Sequence, residues 1–169
     1  MQYRVTGKQP NSKMCLVCGL KNITGLKALF YELENNELMA VCELMEEHQS
    51  YPNRLHGGIA AALLDETIGR AIMITHDDDD IWGVTLEFSI RYKKPIPLDK
   101  ELRVIGRITQ ERRRFFKGTG ELFLPDGTIA AEATGKYLKF PLEEIADFDF
   151  EEQEWKVIES EKDPTIVNI

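Results

Sequence analysis

The chain has 169 residues, of which 43% are hydrophobic and 30% are charged, a composition typical of one globular domain with a sizeable core. This composition excludes wholesale disorder and fibrous repeats. No uncharged stretch approaches the roughly 20 residues of a membrane-spanning helix, so we expect no membrane partner. The cysteine count of three is odd and the opening residues are largely polar, which argues against a secreted disulfide framework and favours a cytoplasmic location.

The net charge of −8 is concentrated at the end of the chain. Residues 141–169 hold ten acidic side chains against two lysines, whereas residues 1–140 hold 19 acidic and 19 basic side chains. We therefore predict an acidic C-terminal extension over 141–169 that lies outside the shared core. A chain without a basic face is a poor nucleic-acid binder, so no nucleic-acid partner is expected.

The first half of the chain predicts a leader, a hairpin and one helix. Residues 1–13 lack a periodic pattern and are expected to be flexible. Ala28–Leu33 and Met39–Met45 are predicted strands, and Asn35-Asn36 between them favours a hairpin turn. The run Gly57–Ile74 is rich in Ala and Leu, lacks Pro and is apolar around most of its circumference. Such a pattern is typical of a buried helix.

The second half of the chain predicts a series of strands. The acidic run His76–Asp80 is expected to be a solvated turn that ends the helix. Val84–Tyr92 alternates apolar and polar residues with a period of two, which predicts a half-buried strand. Three further strands are predicted: Glu101–Gln110, Phe115–Leu124 and Thr128–Phe140. A hairpin, one buried helix and successive antiparallel strands together predict an α+β architecture.

A carboxylate, Asp65, falls in the middle of the helix that is predicted to be buried. An unpaired carboxylate in such a place costs several kcal/mol of folding free energy. The residues three and four positions away are Ala, Ile and Gly, so its own helix offers no partner, whereas Glu66 has Arg70 four positions on. Asp65 therefore either accepts a hydrogen bond from a neighbouring strand or acts as a catalytic base or nucleophile.

The sequence His56-Gly57-Gly58 lies where this helix begins. A helix N-terminus offers unpaired N–H groups, so the segment is either an oxyanion site or a plain loop-to-helix junction. Gly57 and Asp65 are eight positions apart, which is about 12 Å along a helix axis, too far for both to act on one carbonyl. If both are catalytic, two antiparallel helices must share each site, and the protein must be a symmetric dimer.

These residues resemble the hotdog-fold acyl-CoA thioesterases, in the branch typified by the phenylacetate-pathway and mammalian enzymes. The family stretch reads His-Gly-Gly, six residues and a catalytic Asp, and here it is His56-Gly57-Gly58-IAAALL-Asp65. The resemblance continues through the strand Gly83–Tyr92, the following YKKPIPLDKEL and the closing AAEATGKYLKF. It covers the chain roughly from Cys15 to Phe140.

The resemblance implies a curved antiparallel sheet wrapped around one long central helix, formed by residues 14–140, in dimers that often pair into tetramers. It implies hydrolysis of an acyl-CoA thioester without a metal or further cofactor, since CoA enters as part of the substrate. Asp65 would be the base or nucleophile, and the partner subunit's Gly57 would supply the oxyanion N–H. His56 would shape this loop or contact the thioester, and Thr85 would hold the attacking water.

The resemblance also suggests residues that contact the substrate. Gly58 belongs to the loop at the helix start. Other family members have Asn six residues before the His, where this chain has Ser50, so nearby Asn53 is a candidate. Basic residues at a predicted hairpin are either solvated charges or a clamp for CoA phosphates: Arg112, Arg113, Arg114 and Lys117. Phe115 and Phe116 beside them would cover adenine or an acyl chain.

Two alternatives remain open, one for the cysteines and one for the function. Cys15-x-x-Cys18 has metal-ligand spacing, but a zinc site would need distant His or carboxylate ligands, so we expect ordinary packing over a zinc or redox role. A non-catalytic acyl-CoA binding or sensor module remains the alternative function, because a hotdog fold by itself does not establish catalysis.

Overall fold

The protein is described by a computed structural model that covers residues 2–76 and 81–169. The four aspartates of the predicted acidic turn, 77–80, lie outside the described residues. Within the described ranges, eight strands form one antiparallel sheet in the order β4-β7-β6-β5-β3-β2-β1-β8. The strands are Gln2–Lys8 (β1), Leu29–Leu33 (β2), Leu38–Cys42 (β3), Trp82–Tyr92 (β4), Leu102–Glu111 (β5), Phe115–Phe123 (β6), Ile129–Phe140 (β7) and Ile166–Asn168 (β8).

One long helix, α1, spans Gly57–Arg70 and continues as a short 3₁₀ turn over Ala71–Ile74. It contacts strands β3 to β7, and its buried apolar side chains form the centre of the core. The helix approaches the sheet closely at Gly106, where a Cβ atom would lie 2.8 Å from the Thr67 carbonyl oxygen. Only a glycine allows that approach. The curved antiparallel sheet around a single buried helix confirms the predicted α+β hotdog architecture.

The predicted hairpin and the four strands after the helix are confirmed, with bounds that differ by a few residues. Asn36 adopts a positive φ of 61° in the turn between β2 and β3. In the described part of the chain, no helix is both long enough and apolar enough to span a membrane.

The prediction of a flexible leader is wrong, because Gln2–Lys8 form a strand that pairs antiparallel with both β2 and β8. Tyr3 and Val5 pack against a small second core around Tyr31 and Val167. The strand was missed because it has only these two large apolar side chains, too few for a period of two to be visible in the sequence.

The acidic extension is also more than an appendage. A short helix α2 covers Leu142–Ile145, and β8 adds an outer strand to the sheet with Val167 only 6% exposed. The Asp163 carboxylate accepts hydrogen bonds from Lys8 Nζ at 2.7 Å and from the Tyr31 hydroxyl at 2.8 Å. The expectation that 141–169 lies outside the core is therefore wrong for β8, whose contacts come from strands distant in sequence.

Candidate active site

Asp65 finds its partners on two strands that pack against α1. The Thr85 hydroxyl lies 3.0 Å from each carboxylate oxygen of Asp65, and the Tyr137 hydroxyl donates to Oδ1 at 3.0 Å. Thr85 is on β4 and Tyr137 is the directly paired residue on β7. Two hydroxyl donors from one cross-strand pair therefore orient the carboxylate, which is half-buried.

A β-bulge directs Thr85 toward the helix. Thr85 pairs with Tyr137 and Glu87 pairs with Lys136, so one extra residue, Leu86, is inserted in β4. The regular alternation in the sequence places Thr85 on the face opposite Phe88. The extra residue shifts that alternation by one position, which turns Thr85 toward Asp65 and leaves Leu86 exposed.

The electrostatics of the pair follow from burial. Burial raises the pKa of Asp65, and the hydrogen bonds from Thr85 and Tyr137 act in the opposite direction by stabilising the carboxylate. Burial also raises the pKa of Tyr137, as does the nearby Asp65 charge. The tyrosine is therefore a hydrogen-bond donor to Asp65 at neutral pH.

A cavity of about 140 Å³ opens beside the Asp65 carboxylate. On one side it is bounded by Trp82, whose ring contacts those of Phe148 and Trp155 from the C-terminal residues. The cavity is lined by Asp65, Glu66, Gly69, Arg70, Ile72, Met73, Trp82, Gly83, Thr85 and Tyr137. The lining therefore includes both the Asp65 carboxylate and the aromatic ring of Trp82.

The start of α1 forms a second, separate feature. His56 is the N-cap of the helix, and its Nδ1 atom accepts a hydrogen bond from the Gly58 N–H at 2.9 Å. The Gly58 N–H is therefore already hydrogen-bonded within the chain. The Tyr92 hydroxyl donates to the Gly57 carbonyl oxygen at 2.5 Å. Gly57 and Tyr92 line an open groove of about 310 Å³ with Lys93 and Lys94. As the first helical residue, Gly57 has an N–H without an acceptor within the helix.

Asp65 and Gly57 do not meet within one chain. Helix α1 is continuous between them, so they stand about 12 Å apart along its axis and line different cavities. Within one chain, the Asp65 cavity and the Gly57 groove are therefore two separate features.

The remaining candidates lie on the surface. Asn53 is exposed in a turn, with a φ of 58°, and its N–H donates to Gln49 Oε1 at 3.3 Å. The basic residues are exposed along the β5–β6 hairpin and the start of β6: Arg112, Arg113, Arg114 and Lys117. The hairpin lies at the Thr85 end of the sheet, because Phe115 pairs with Leu138 and Leu138 pairs with Val84.

Phe116 does not cover a ligand. It is fully buried and stacks on the Tyr137 ring with centroids 4.9 Å apart, so the expectation that it contacts adenine or an acyl chain is wrong. The sequence did not point to three residues that line the Asp65 cavity or the Gly57 groove: Tyr137, Tyr92 and Trp82. Strand alternation places Tyr137 and Tyr92 on regular faces, but no local spacing links either to the helix.

One cluster of potential metal ligands was identified within residues 2–76 and 81–169. It comprises the side chains of Cys15, Cys18 and Glu66, whose ligand atoms all lie within 4.8 Å of one another. Of the three, only Glu66 is adjacent to Asp65 in sequence.

Comparisons with known proteins agree with this fold. Residues 53–131 match the family model of the thioesterase superfamily. Acyl-coenzyme A thioesterase THEM4 of Mus musculus is 26% identical over 113 residues, which are 66% of this chain and 47% of that protein. The match thus spans about half the length of this curated relative.

Solved structures give the same fold. A thioesterase superfamily protein is 25% identical with a TM-score of 0.67, over 74% of this chain and 63% of the other. A Streptococcus mutans UA159 protein bound to acetyl CoA is 23% identical with a TM-score of 0.57, over 63% of this chain and 82% of the other. The sheet, the helix and these matches define a hotdog-fold protein. Over residues 53–131, somewhat less than half of its length, the chain is similar to the thioesterase superfamily.

Proposed function

We propose that the protein hydrolyses an acyl-CoA thioester to a free acid and CoA, with Asp65 as general base or nucleophile. The observation that carries the proposal is the half-buried Asp65 carboxylate, held by Thr85 and Tyr137 at the mouth of a cavity. Two relatives support the substrate class: the mouse relative is an acyl-coenzyme A thioesterase, and the Streptococcus mutans protein binds acetyl CoA.

The chemistry requires a proton acceptor and an oxyanion donor. As a base, Asp65 takes a proton from water while the resulting hydroxide attacks the thioester carbonyl carbon. As a nucleophile, its carboxylate attacks that carbon itself, and water then hydrolyses the mixed anhydride. In both routes a backbone N–H stabilises the tetrahedral oxyanion, and the C–S bond breaks to release CoA thiolate, which is protonated. Neither route uses a metal or a further cofactor.

The proposed oxyanion donor is the Gly57 N–H of the partner subunit in a homodimer. Strand β4 is at the edge of the sheet, and its apolar residues Leu86 and Tyr92 are 49% and 48% exposed. Such an edge favours pairing with another strand. A two-fold axis near the middle of β4 would bring Thr85 of one subunit toward the partner's Tyr92, whose hydroxyl bonds to Gly57 of its own chain.

This arrangement explains why the Asp65 cavity and the Gly57 groove are each lined by part of β4. Thr85 holds Asp65 near the start of the strand, and Tyr92 holds Gly57 at its end. Antiparallel pairing of two β4 strands brings the start of one against the end of the other, so two composite sites form. The arginines of the β5–β6 hairpin lie at the Asp65 end, where they are the proposed contacts for CoA phosphates.

The test is a screen of acyl-CoAs that follows release of free thiol from the purified protein. Asp65→Asn is expected to lower kcat by about 100-fold or more, the range for loss of a general base. Asp99→Asn is the matched control, because its side chain is 73% exposed in a loop before β5. Saturable acyl-CoA binding without thiol release from any substrate would contradict hydrolysis and favour the sensor module. Wild-type activity in Asp65→Asn would contradict the residue assignment.

A further inference from the structure

The segment before β2 folds against helix α1 through its two cysteines. Cys18 is 1% exposed, whereas Cys15 is half-buried, and the ligand atoms of Cys15, Cys18 and Glu66 are within 4.8 Å of one another. Glu66 comes from α1, distant in sequence from both cysteines. The distant carboxylate that a Cys-x-x-Cys metal site requires is thus supplied by the fold.

The backbone around Cys15 is arranged to hold a sulfur ligand. The N–H groups of Val17 and Cys18 donate to Cys15 Sγ at 3.3 and 3.4 Å. The chain then turns so tightly that a Cβ on Gly19 would lie 2.4 Å from the Cys15 carbonyl oxygen. Metal ions bind the thiolate form of cysteine, and N–H donors of this kind orient the sulfur atom. The turn and its N–H groups fix the direction of the Cys15 sulfur toward Cys18 and Glu66.

We propose that Cys15, Cys18 and Glu66 bind a zinc ion that joins this segment to helix α1. Around a tetrahedral zinc, two sulfur atoms at about 2.3 Å from the ion are roughly 3.8 Å apart, and a sulfur and a carboxylate oxygen are roughly 3.5 Å apart. Ligand atoms within 4.8 Å of one another therefore need to approach by no more than about 1.3 Å. Three protein ligands leave the fourth position to water. Two sulfurs and a carboxylate suit this borderline ion, whereas an iron–sulfur cluster takes four cysteines.

The surrounding charge and hydrogen bonding fit such a site. Two thiolates and a carboxylate around a divalent ion have a net charge of −1, and the Arg70 guanidinium is placed to balance it. Arg70 Nε donates to Glu66 Oε1 at 2.8 Å, and its side chain is 7% exposed. A ligating carboxylate is commonly oriented by a hydrogen bond of this kind.

The proposed zinc site borders the cavity beside Asp65, because Glu66 and Arg70 also line that cavity, but it uses different side chains from those that hold Asp65. Its ligand Glu66 is adjacent to Asp65 in sequence, but Asp65 takes its hydrogen bonds from Thr85 and Tyr137. Zinc here would tie the Cys15–Cys18 turn to the helix that positions Asp65, and would stabilise the folded state by mass action. The inference therefore does not depend on the proposed hydrolysis.

Zinc binding is measured on the full chain, reduced and stripped of metal, by titration in competition with a chromophoric chelator. We expect one zinc per chain. Cys15→Ser, Cys18→Ser and Glu66→Gln should each weaken binding by more than about 100-fold, beyond the range for loss of an outer-shell partner. Cys42→Ala is the matched control: Cys42 is buried in β3 and absent from the cluster, so its loss should leave zinc affinity unchanged. Cobalt(II) should give a thiolate charge-transfer band that the Cys15 and Cys18 variants lose.

A second measurement uses the wild-type protein and so needs no variant to fold. Zinc should slow alkylation of Cys15, the most exposed of the three cysteines, as followed by mass spectrometry of the labelled peptide. Absence of stoichiometric zinc binding would overturn the proposal. So would unchanged zinc affinity in the Cys15 and Cys18 variants, or equal alkylation rates with and without zinc.

Discussion

The composite site makes a quantitative prediction about mixed dimers. Asp65→Asn removes the proposed base, and Gly57→Pro removes the proposed oxyanion N–H, so each variant alone should be inactive. The structure accommodates proline at 57, because Pro suits the first position of a helix. His56 before it has φ −65° and ψ 131°, the extended region that a following proline requires. The nearest neighbour of a Cβ at 57 is the Tyr92 hydroxyl at 3.2 Å, the far end of an exposed side chain.

The magnitude of the expected rescue follows from two-fold symmetry. Random mixing of equal amounts makes half of the dimers heterodimers. If the sites are composite, one site of each heterodimer receives both damaged groups and the other receives neither. The mixture should therefore recover about a quarter of the wild-type activity per subunit. If both groups instead act within one chain, every site in the mixture is damaged and activity stays at the level of the variants.

The assay is thiol release after co-refolding the two variants, with dimer formation and the unfolding midpoint measured for each variant beforehand. A mixture of Asp65→Asn with Asp65→Ala is the control, since none of its sites contains an intact carboxylate. Heterodimers that form without rescue would refute the composite site, even if the wild-type protein proves to hydrolyse thioesters.

Three further outcomes are expected. Gly106→Ala should lower the free energy of unfolding by about 1–3 kcal/mol in urea denaturation, because the new Cβ meets helix backbone. Gly7→Ala is the control and should cost little, because its Cβ meets a flexible glutamate side chain. Equal losses in the two variants would contradict the close packing of helix and sheet. Deleting residues 147–169 should lower the midpoint of thermal unfolding, because burial of Val167 alone contributes about 1.5–3 kcal/mol of stability. An unchanged midpoint would show that β8 does not stabilise the fold. Thr85→Val should lower kcat about 10-fold, because it removes a hydrogen bond to the Asp65 carboxylate. Thr85→Ser keeps the hydroxyl and should retain most activity. Equal losses in the two variants would contradict a role for the hydroxyl.

Much of the fold was determined by local sequence patterns. The nearly all-round apolar run at Gly57–Ile74 predicted a buried helix, because such a surface is stable only when it is enclosed. Alternation predicted the strands that became β4 to β7, and the turn at Asn35-Asn36 predicted the hairpin. The absence of any helical partner for Asp65 pointed to a partner on a neighbouring strand or to catalysis. These signals depend on residues a few positions apart, which a sequence displays directly.

What only the tertiary structure decided was which distant residues meet. The side-chain direction of Thr85 depends on one inserted residue in β4. The sequence alternates without a break across that residue, so the pattern does not reveal the bulge. Tyr137 reaches Asp65 across 72 positions, and β1 is stabilised by pairing with β8 from the opposite end of the chain. Glu66 meets Cys15 and Cys18 for the same reason. Contacts of this kind arise from packing the sheet around the helix, and no spacing along the chain encodes them.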